Sequence, residues 1–268
     1  MSVPDSLTHQ YRNLAARLLV LLLAASAVAC SPRKPLLAYR ANTTFYGIGD
    51  STSQHVYDSS LIAMLAPYKI GVDTLMRTVV CNASGPLTKA QPESSLGNLV
   101  ADATLVAAKK IDRRVDFAVG NYGGIRISYI APGPITRGKV YELMPFDNTL
   151  MIVDIPGTVL KEFCDYMAQR RGWPVAGITY EIVGTEARNI RFPARNNDTL
   201  RPALYYRMAV SDYIAKGGDN ADMLNELHKN PTTLFIRDAI IDYLAALHAE
   251  GKDLNPTLDN RVRYASQD

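Results

Sequence analysis

Four short stretches of this 268-residue chain set polar, aromatic and glycine residues where a packed core would not want them. They are PESSLGN (92–98), NYGGIR (121–126), MPFDN (144–148) and DYIAKGGD (212–219). In the second, Asn121, Gly123, Gly124 and Arg126 follow the apolar run VDFAVG. Glycines there let the backbone come close to a ligand, and a guanidinium offers a planar fork that suits a phosphate or a ribose hydroxyl. The third and fourth stretches bring one aromatic each, Phe146 and Tyr213, near the polar Asn148 and Asp219. Two aromatics can clamp a flat base. On residue types alone a second reading stands beside each of these. A turn with a surface arginine accounts for NYGGIR, a plain turn accounts for Gly217 and Gly218, and a Phe beside a strand more often belongs to the core.

Other chemistries find little footing. His55, His228 and His248 are isolated, with no second histidine or paired acid at ligand spacing, so no metal centre is expected in this chain. There is no GxSxG elbow, phosphate loop or dinucleotide motif. With 29 Lys and Arg against 26 Asp and Glu, the net charge of +3 provides no field able to hold nucleic acid.

The N-terminus reads as an export signal. Arg12 and Arg17 precede the apolar run 18–23, which is too short to span a bilayer and ends in small residues. Ala27, Val28 and Ala29 directly before Cys30 resemble the bacterial lipobox, which implies cleavage after residue 29 and acylation of Cys30. An ordinary signal peptide followed by an incidental cysteine is the alternative. Ser31 resembles the sorting position of outer-membrane lipoproteins, so the expected location is the cell envelope, in the periplasm or at the outer membrane, with a lipid anchor in the membrane. Residues 30–44, with Pro32, Pro35, Asn42, Thr43 and Thr44, suit a tether, and 45–268 a single domain. Cys81 and Cys164 are read as buried thiols. Whether their Cα atoms approach closely enough to pair is not legible in sequence.

The elements that must position the polar stretches follow from periodicity. A short helix is expected from residue 58 to about Pro67, and a strand over 75–81. Ser94 can cap a helix reaching about Lys110, because Leu96, Leu99, Val100, Ala103, Val106 and Ala107 recur at helical spacing. Strands are expected at 115–120, 148–155, 178–183 and 205–210. A helix after Pro156 and Gly157 would bury Val159, Leu160, Phe163 and Met167 and stop at Gly172, and a final helix would cover 233–248 with Gly251 past its end. Irregular connections between strands and helices point to an α+β class with helices packed over mixed β-sheets.

Taken together, in this order and at this separation, the four stretches are similar to the signature of the C-terminal, substrate-binding domain of the 5'-nucleotidase family, over about residues 57–250. That resemblance implies substrate contacts from Asn121, Gly123, Gly124 and Arg126, a nucleobase sandwiched by Phe146 and Tyr213, and polar contacts from Asn148 and Asp219. Hydrolysis in the family depends on a separate metallophosphatase domain with two metals, and no such motif stands in this sequence. The chain is therefore expected to hold no cofactor and to act in nucleotide catabolism with a metallophosphatase chain that carries the divalent metals. A binding protein without an enzyme partner, or a degenerate scaffold, is the alternative. The sequence departs from the family pattern at Pro92, in place of an arginine; Tyr122, in place of the first of three glycines; Asp147, in place of a glycine; and Asn220 and Ala221, after GGD. A carboxylate at Asp147 would repel an anionic ligand, which favours a neutral nucleoside over its phosphate.

Overall fold

The computed structural model of the chain describes residues 17–19 and 59–265. Most of the leader, the acylation candidate Cys30, the tether 30–44 and His55 lie outside the described residues. From Ser59 onward the chain forms one unit. It opens with α1 (Ser59–Met76), β1 (Val79–Ala83), β2 (Leu87–Thr88), α2 (Ser95–Ile111), β3 (Phe117–Val119), β4 (Tyr129–Ile130), β5 (Gly133–Thr136) and α3 (Arg137–Leu143). It continues with β6 (Thr149–Pro156), α4 (Gly157–Gln169), β7 (Val175–Ala176), β8 (Thr179–Val183), β9 (Glu186–Phe192) and β10 (Asp198–Thr199). The last elements are β11 (Tyr205–Ser211), α5 (Asp212–Ala215), β12 (His228–Phe235), α6 (Ile236–Ala249) and β13 (Val262–Tyr264).

Two sheets carry the architecture. One has five strands in the order β12-β6-β11-β3-β7, parallel only where β11 meets β3, and the other has four in the order β10-β9-β8-β13, parallel only where β13 meets β8. The fold is thus α+β, with mixed sheets flanked by helices. Successive strand residues face opposite sides, and β6 buries both. Met151, Val153 and Ile155 pack with Leu160, Phe163 and Met167 of α4 and with Tyr180, Ile182 and Phe192 of the four-stranded sheet. Leu150 and Ile152 pack on the other side with Leu96, Leu99 and Val100 of α2 and Ile236, Ile240 and Leu244 of α6. A strand covered on both faces has no polar alternation, which is why residues 150–153 are apolar without a break.

The two remaining cysteines fall into these two separate cores, Cys164 with α4 and Cys81 with α2, so the five-stranded sheet stands between them. Both are buried and free, and burial pushes the Cys164 thiol well above its usual range. In a Cys30→Ser protein, neither thiol is expected to react with an aromatic disulfide reagent until guanidinium unfolds the chain, when both should react. Rapid labelling of the native protein would contradict this packing.

Most sequence expectations for this unit hold, and three boundaries do not. Ser94 does cap α2, its hydroxyl accepting from the Gly97 amide at 3.1 Å. Helix α1, however, continues through Pro67 to Met76, so the strand expected over 75–81 begins only at Val79. Pro67 removes one helical hydrogen bond, while the far end of α1 is held by tertiary contact: Gly138 of α3 has no side chain, and a Cβ there would stand 3.0 Å from the Met76 carbonyl. The last helix starts at Ile236, because residues 233–235 are the end of β12, which rejoins β6 where Phe235 pairs with Thr149. There the Thr232 hydroxyl donates to the Leu150 carbonyl at 2.8 Å across a bulge that follows Pro231, on an edge strand where proline is tolerated. His228 accordingly lies on β12, exposed and 3.3 Å from Asp154, while His248 closes α6.

Candidate functional site

A cleft of about 310 Å3 is lined by Asn121, Gly123, Gly124, Arg126, Phe146, Asn148, Tyr213 and Asp219. These are the eight residues that the sequence singles out, drawn from three separate stretches. The first stretch does not join them. Within PESSLGN, Glu93 accepts from Asn98 at 2.8 Å and from the Asp259 amide at 3.1 Å, and Pro92 lies beside Trp173 and Arg261 at a different hollow. Its work is to start α2 and tie down the C-terminal segment.

The cleft is assembled where strands end. Strand β3 delivers the chain to Asn121, which is buried and precedes a single 3-10 turn, Tyr122–Gly124. A Cβ on Gly124 would stand 2.7 Å from the Asn121 side-chain oxygen, so the turn closes this tightly only with glycine. Strand β11 ends at Ser211, whose hydroxyl accepts from the Ile214 amide and starts α5, placing Tyr213 over the cleft. Just beyond, Gly218 lies under Tyr213: a Cβ there would stand 2.5 Å from the Tyr213 carbonyl and 2.7 Å from its ring. Asn148, directly before β6, is fixed from the far side, its carbonyl accepting from the Ile236 amide at 2.9 Å.

Asp219 is the hub. Its backbone is left-handed (φ 55), a conformation that Asp tolerates better than most residues. Its carboxylate accepts from Asn121 Nδ2 at 2.9 Å and from the Tyr213 hydroxyl at 2.8 Å, and its amide donates to that same hydroxyl at 3.1 Å. The Tyr166 hydroxyl donates to its carbonyl. On the opposite side, the Arg126 guanidinium lies 5.5 Å from the centre of the Phe146 ring and donates to the Gly123 carbonyl at 3.4 Å. Phe146 and Tyr213 are 40% and 44% exposed, far too open for core residues, so the core reading of these two aromatics does not hold.

Two expectations drawn from sequence departures are corrected. Asp147 does not line the cleft; Arg237 of α6 donates to its carboxylate at 2.7 Å and to the Phe146 carbonyl at 3.3 Å, with the Tyr141 ring 4.1 Å from the guanidinium. The Asp147 carboxylate is thereby paired with a guanidinium outside the cleft lining. Tyr122 does not crowd the turn either, since its ring packs against the core on the α4 side and carries the Lys89 ammonium 4.1 Å from its centre.

Sequence reasoning missed three residues around the cleft: Arg237, Lys89 and Tyr166. Tyr166 sits on the buried face of α4, with burial raising its phenol pKa and the Arg170 guanidinium 3.6 Å over its ring. Its only sequence signal is helical spacing with Phe163, which any core tyrosine would share. Among the described residues no group of three or more His, Cys, Asp and Glu converges that could hold a metal ion, so these residues do not form the divalent-metal centre of a phosphatase.

Residues 76–226 match the family model described as 5'-nucleotidase, C-terminal domain. The 5'-nucleotidase of Vibrio cholerae is 27% identical over 210 residues, covering 73% of this chain and 36% of the relative. A probable 5'-nucleotidase of Treponema pallidum is 32% identical over 153 residues, 50% of this chain and 26% of the relative. In three dimensions the chain is similar to the 5'-nucleotidase precursor of Thermus thermophilus, with a TM-score of 0.65 and 29% identity over 78% of this chain and 43% of that one. The NAD nucleotidase of Haemophilus influenzae shares the fold, with a TM-score of 0.62 at 18% identity. This chain spans less than half the length of each of these relatives. A family model matched over more than half the chain, on a fold shared with a solved 5'-nucleotidase, shows that this chain belongs to the 5'-nucleotidase C-terminal domain family.

Proposed function

We propose that the chain is the nucleotide-binding part of a 5'-nucleotidase-type phosphohydrolase, working in nucleotide catabolism with a separately encoded metallophosphatase chain that carries the divalent metals. The observation behind this reading is the convergence of eight residues from three distant stretches on one cleft with two half-exposed aromatics, a guanidinium and a carboxylate. In this reading Phe146 and Tyr213 take the base between them, and stacking of that kind accepts any base. The Asp219 carboxylate, oriented by Asn121 and Tyr213, accepts from sugar hydroxyls. Asn148 adds a polar contact near Phe146. Arg126 gives up the ring face of Phe146 to the base and turns its fork to the phosphate. The partner then supplies the attack on phosphorus, and acylated Cys30 holds the chain at the cell envelope.

Calorimetric titration with AMP tests the binding half of this reading. Saturable binding is expected, weakened by about 1 to 3 kcal/mol in both Arg126→Ala and Phe146→Ala. A full response by the wild type that neither substitution changes would remove the cleft from consideration. Phosphate release only when a metallophosphatase from the same compartment is added would support the split enzyme; tight binding with no such partner would favour a binding protein alone. Cys30→Ala should shift the protein from the membrane fraction to the soluble fraction.

A further inference from the structure

We propose that helix α1 is a self-association surface, through which two copies of this chain pair by antiparallel helix contact. The helix has 18 residues, and none of them is buried. Pro67 and Gly71 stand in its interior, where such residues cost a helix about 3 and about 1 kcal/mol, so neither intrinsic propensity nor packing on the rest of the unit accounts for its stability. Its apolar side chains are nonetheless not scattered. Met64, Leu65, Tyr68, Val72 and Leu75 fall within about 100° of the helix circumference, and each is between 48% and 73% exposed. The half-buried residues of α1, which are Ala66, Asp73 and Met76, lie outside this arc, so the little cover that the helix has does not fall on the stripe.

The spacing points to the partner. Leu65, Tyr68, Val72 and Leu75 are separated by three, four and three residues, the alternation that lets two helices pack at a shallow angle with the side chains of one seated between those of the other. The pattern also reads the same in both directions about residue 70: in an antiparallel pair, Leu65 of one copy meets Leu75 of the other, and Tyr68 meets Val72. A two-fold interface requires that kind of self-complementarity, whereas a lipid surface imposes no such layers. Charge does not oppose the pairing, since α1 holds one lysine and one aspartate, Lys69 and Asp73, both outside the stripe. Five half-exposed side chains of this size on each copy would remove on the order of 1,000 Å2 from water, the lower edge of a specific interface, so the dimer is a weak one. No residue of α1 lines the cleft, and the inference therefore stands apart from what the cleft binds.

Sedimentation equilibrium of the Cys30→Ser chain tests the pairing. A reversible monomer–dimer equilibrium is expected, with a dissociation constant in the micromolar range. Val72→Glu puts a carboxylate into the seam of each copy and should weaken the dimer about a hundredfold or more, without unfolding the monomer because Val72 is exposed. Ile70→Glu is the control. Ile70 is apolar and 69% exposed but lies on the far side of the helix, so its change should weaken the dimer by less than about threefold. An equal loss from both variants would indicate unspecific apolar association and overturn the seam. A chain that stays monomeric at every concentration, or a dimer untouched by Val72→Glu, would overturn it as well. So would monomers that instead float with phosphatidylcholine–phosphatidylglycerol vesicles and lose that binding with Val72→Glu, which would give the stripe to a membrane surface.

Discussion

Asp219→Ala is expected to weaken AMP binding by about 3 kcal/mol, more than any other single change in the cleft. The carboxylate does three things at once. It offers the acceptor for sugar hydroxyls, it orients the Asn121 amide at 2.9 Å, and it orients the Tyr213 hydroxyl at 2.8 Å. Alanine removes all three and is itself poorly suited to the left-handed backbone at this position. Asp219→Asn keeps the shape, an acceptor oxygen and a residue at ease with positive φ, so its loss should be about half as large. The fold should survive both changes, since the Asp219 amide and carbonyl are still held by Tyr213 and Tyr166. Equal AMP affinity in wild type and Asp219→Ala, with both proteins melting at similar temperatures, would remove Asp219 from the site.

The second large effect falls on stability. Gly157 opens α4 immediately after β6, its amide donating to the Leu204 carbonyl at 2.7 Å. A Cβ at this position would be driven into the Arg201 carbonyl oxygen, with the Arg201 carbonyl carbon and Pro202 Cα each 3.0 Å away. Every one of these neighbours is backbone, so no side chain can rotate aside. Gly157→Ala should cost about 3 kcal/mol, a fall in melting temperature of roughly 6 to 12 °C for a unit of this size. Because α4 also carries Tyr166, which holds the Asp219 carbonyl, AMP binding should weaken in parallel. A melting temperature within about a degree of wild type would show that the 201–204 segment yields more easily than its packing implies.

These two outcomes depend on different amounts of information. Asp219 was legible as a candidate cleft residue because DYIAKGGD is similar to a family motif, and motif residues are kept together by short spacing. The steric role of Gly157 was not, because it depends on a segment more than 40 residues further along the chain. The same division runs through the cleft. Asn121, Gly123, Gly124 and Arg126 lie in and beside one turn, and Phe146 and Asn148 flank a single residue, so local pattern identifies each group. Tyr166 meets Asp219 across 53 residues, and Arg237 meets Asp147 across 90, from helices whose periodicity says only that they are packed.

On its own, the amino-acid sequence determined the α+β class, most of the strands and helices, the eight cleft residues and the family, because hydrophobic period, caps and short motifs are local properties. The tertiary structure decided how charge is distributed around the cleft. It turned Asp147 onto Arg237, packed Tyr122 against the core, set Lys89 on the Ile125 carbonyl and placed PESSLGN at a helix start outside the cleft lining. It also carried α1 past Pro67 and gave residues 233–235 to a strand, where seating on Gly138 and pairing with β6 outweighed local preference. The physical reason is the same in each case. Electrostatic partners and sheet register are set by which segments meet in space, and in a fold built from long-range strand pairing that information is spread over the whole chain.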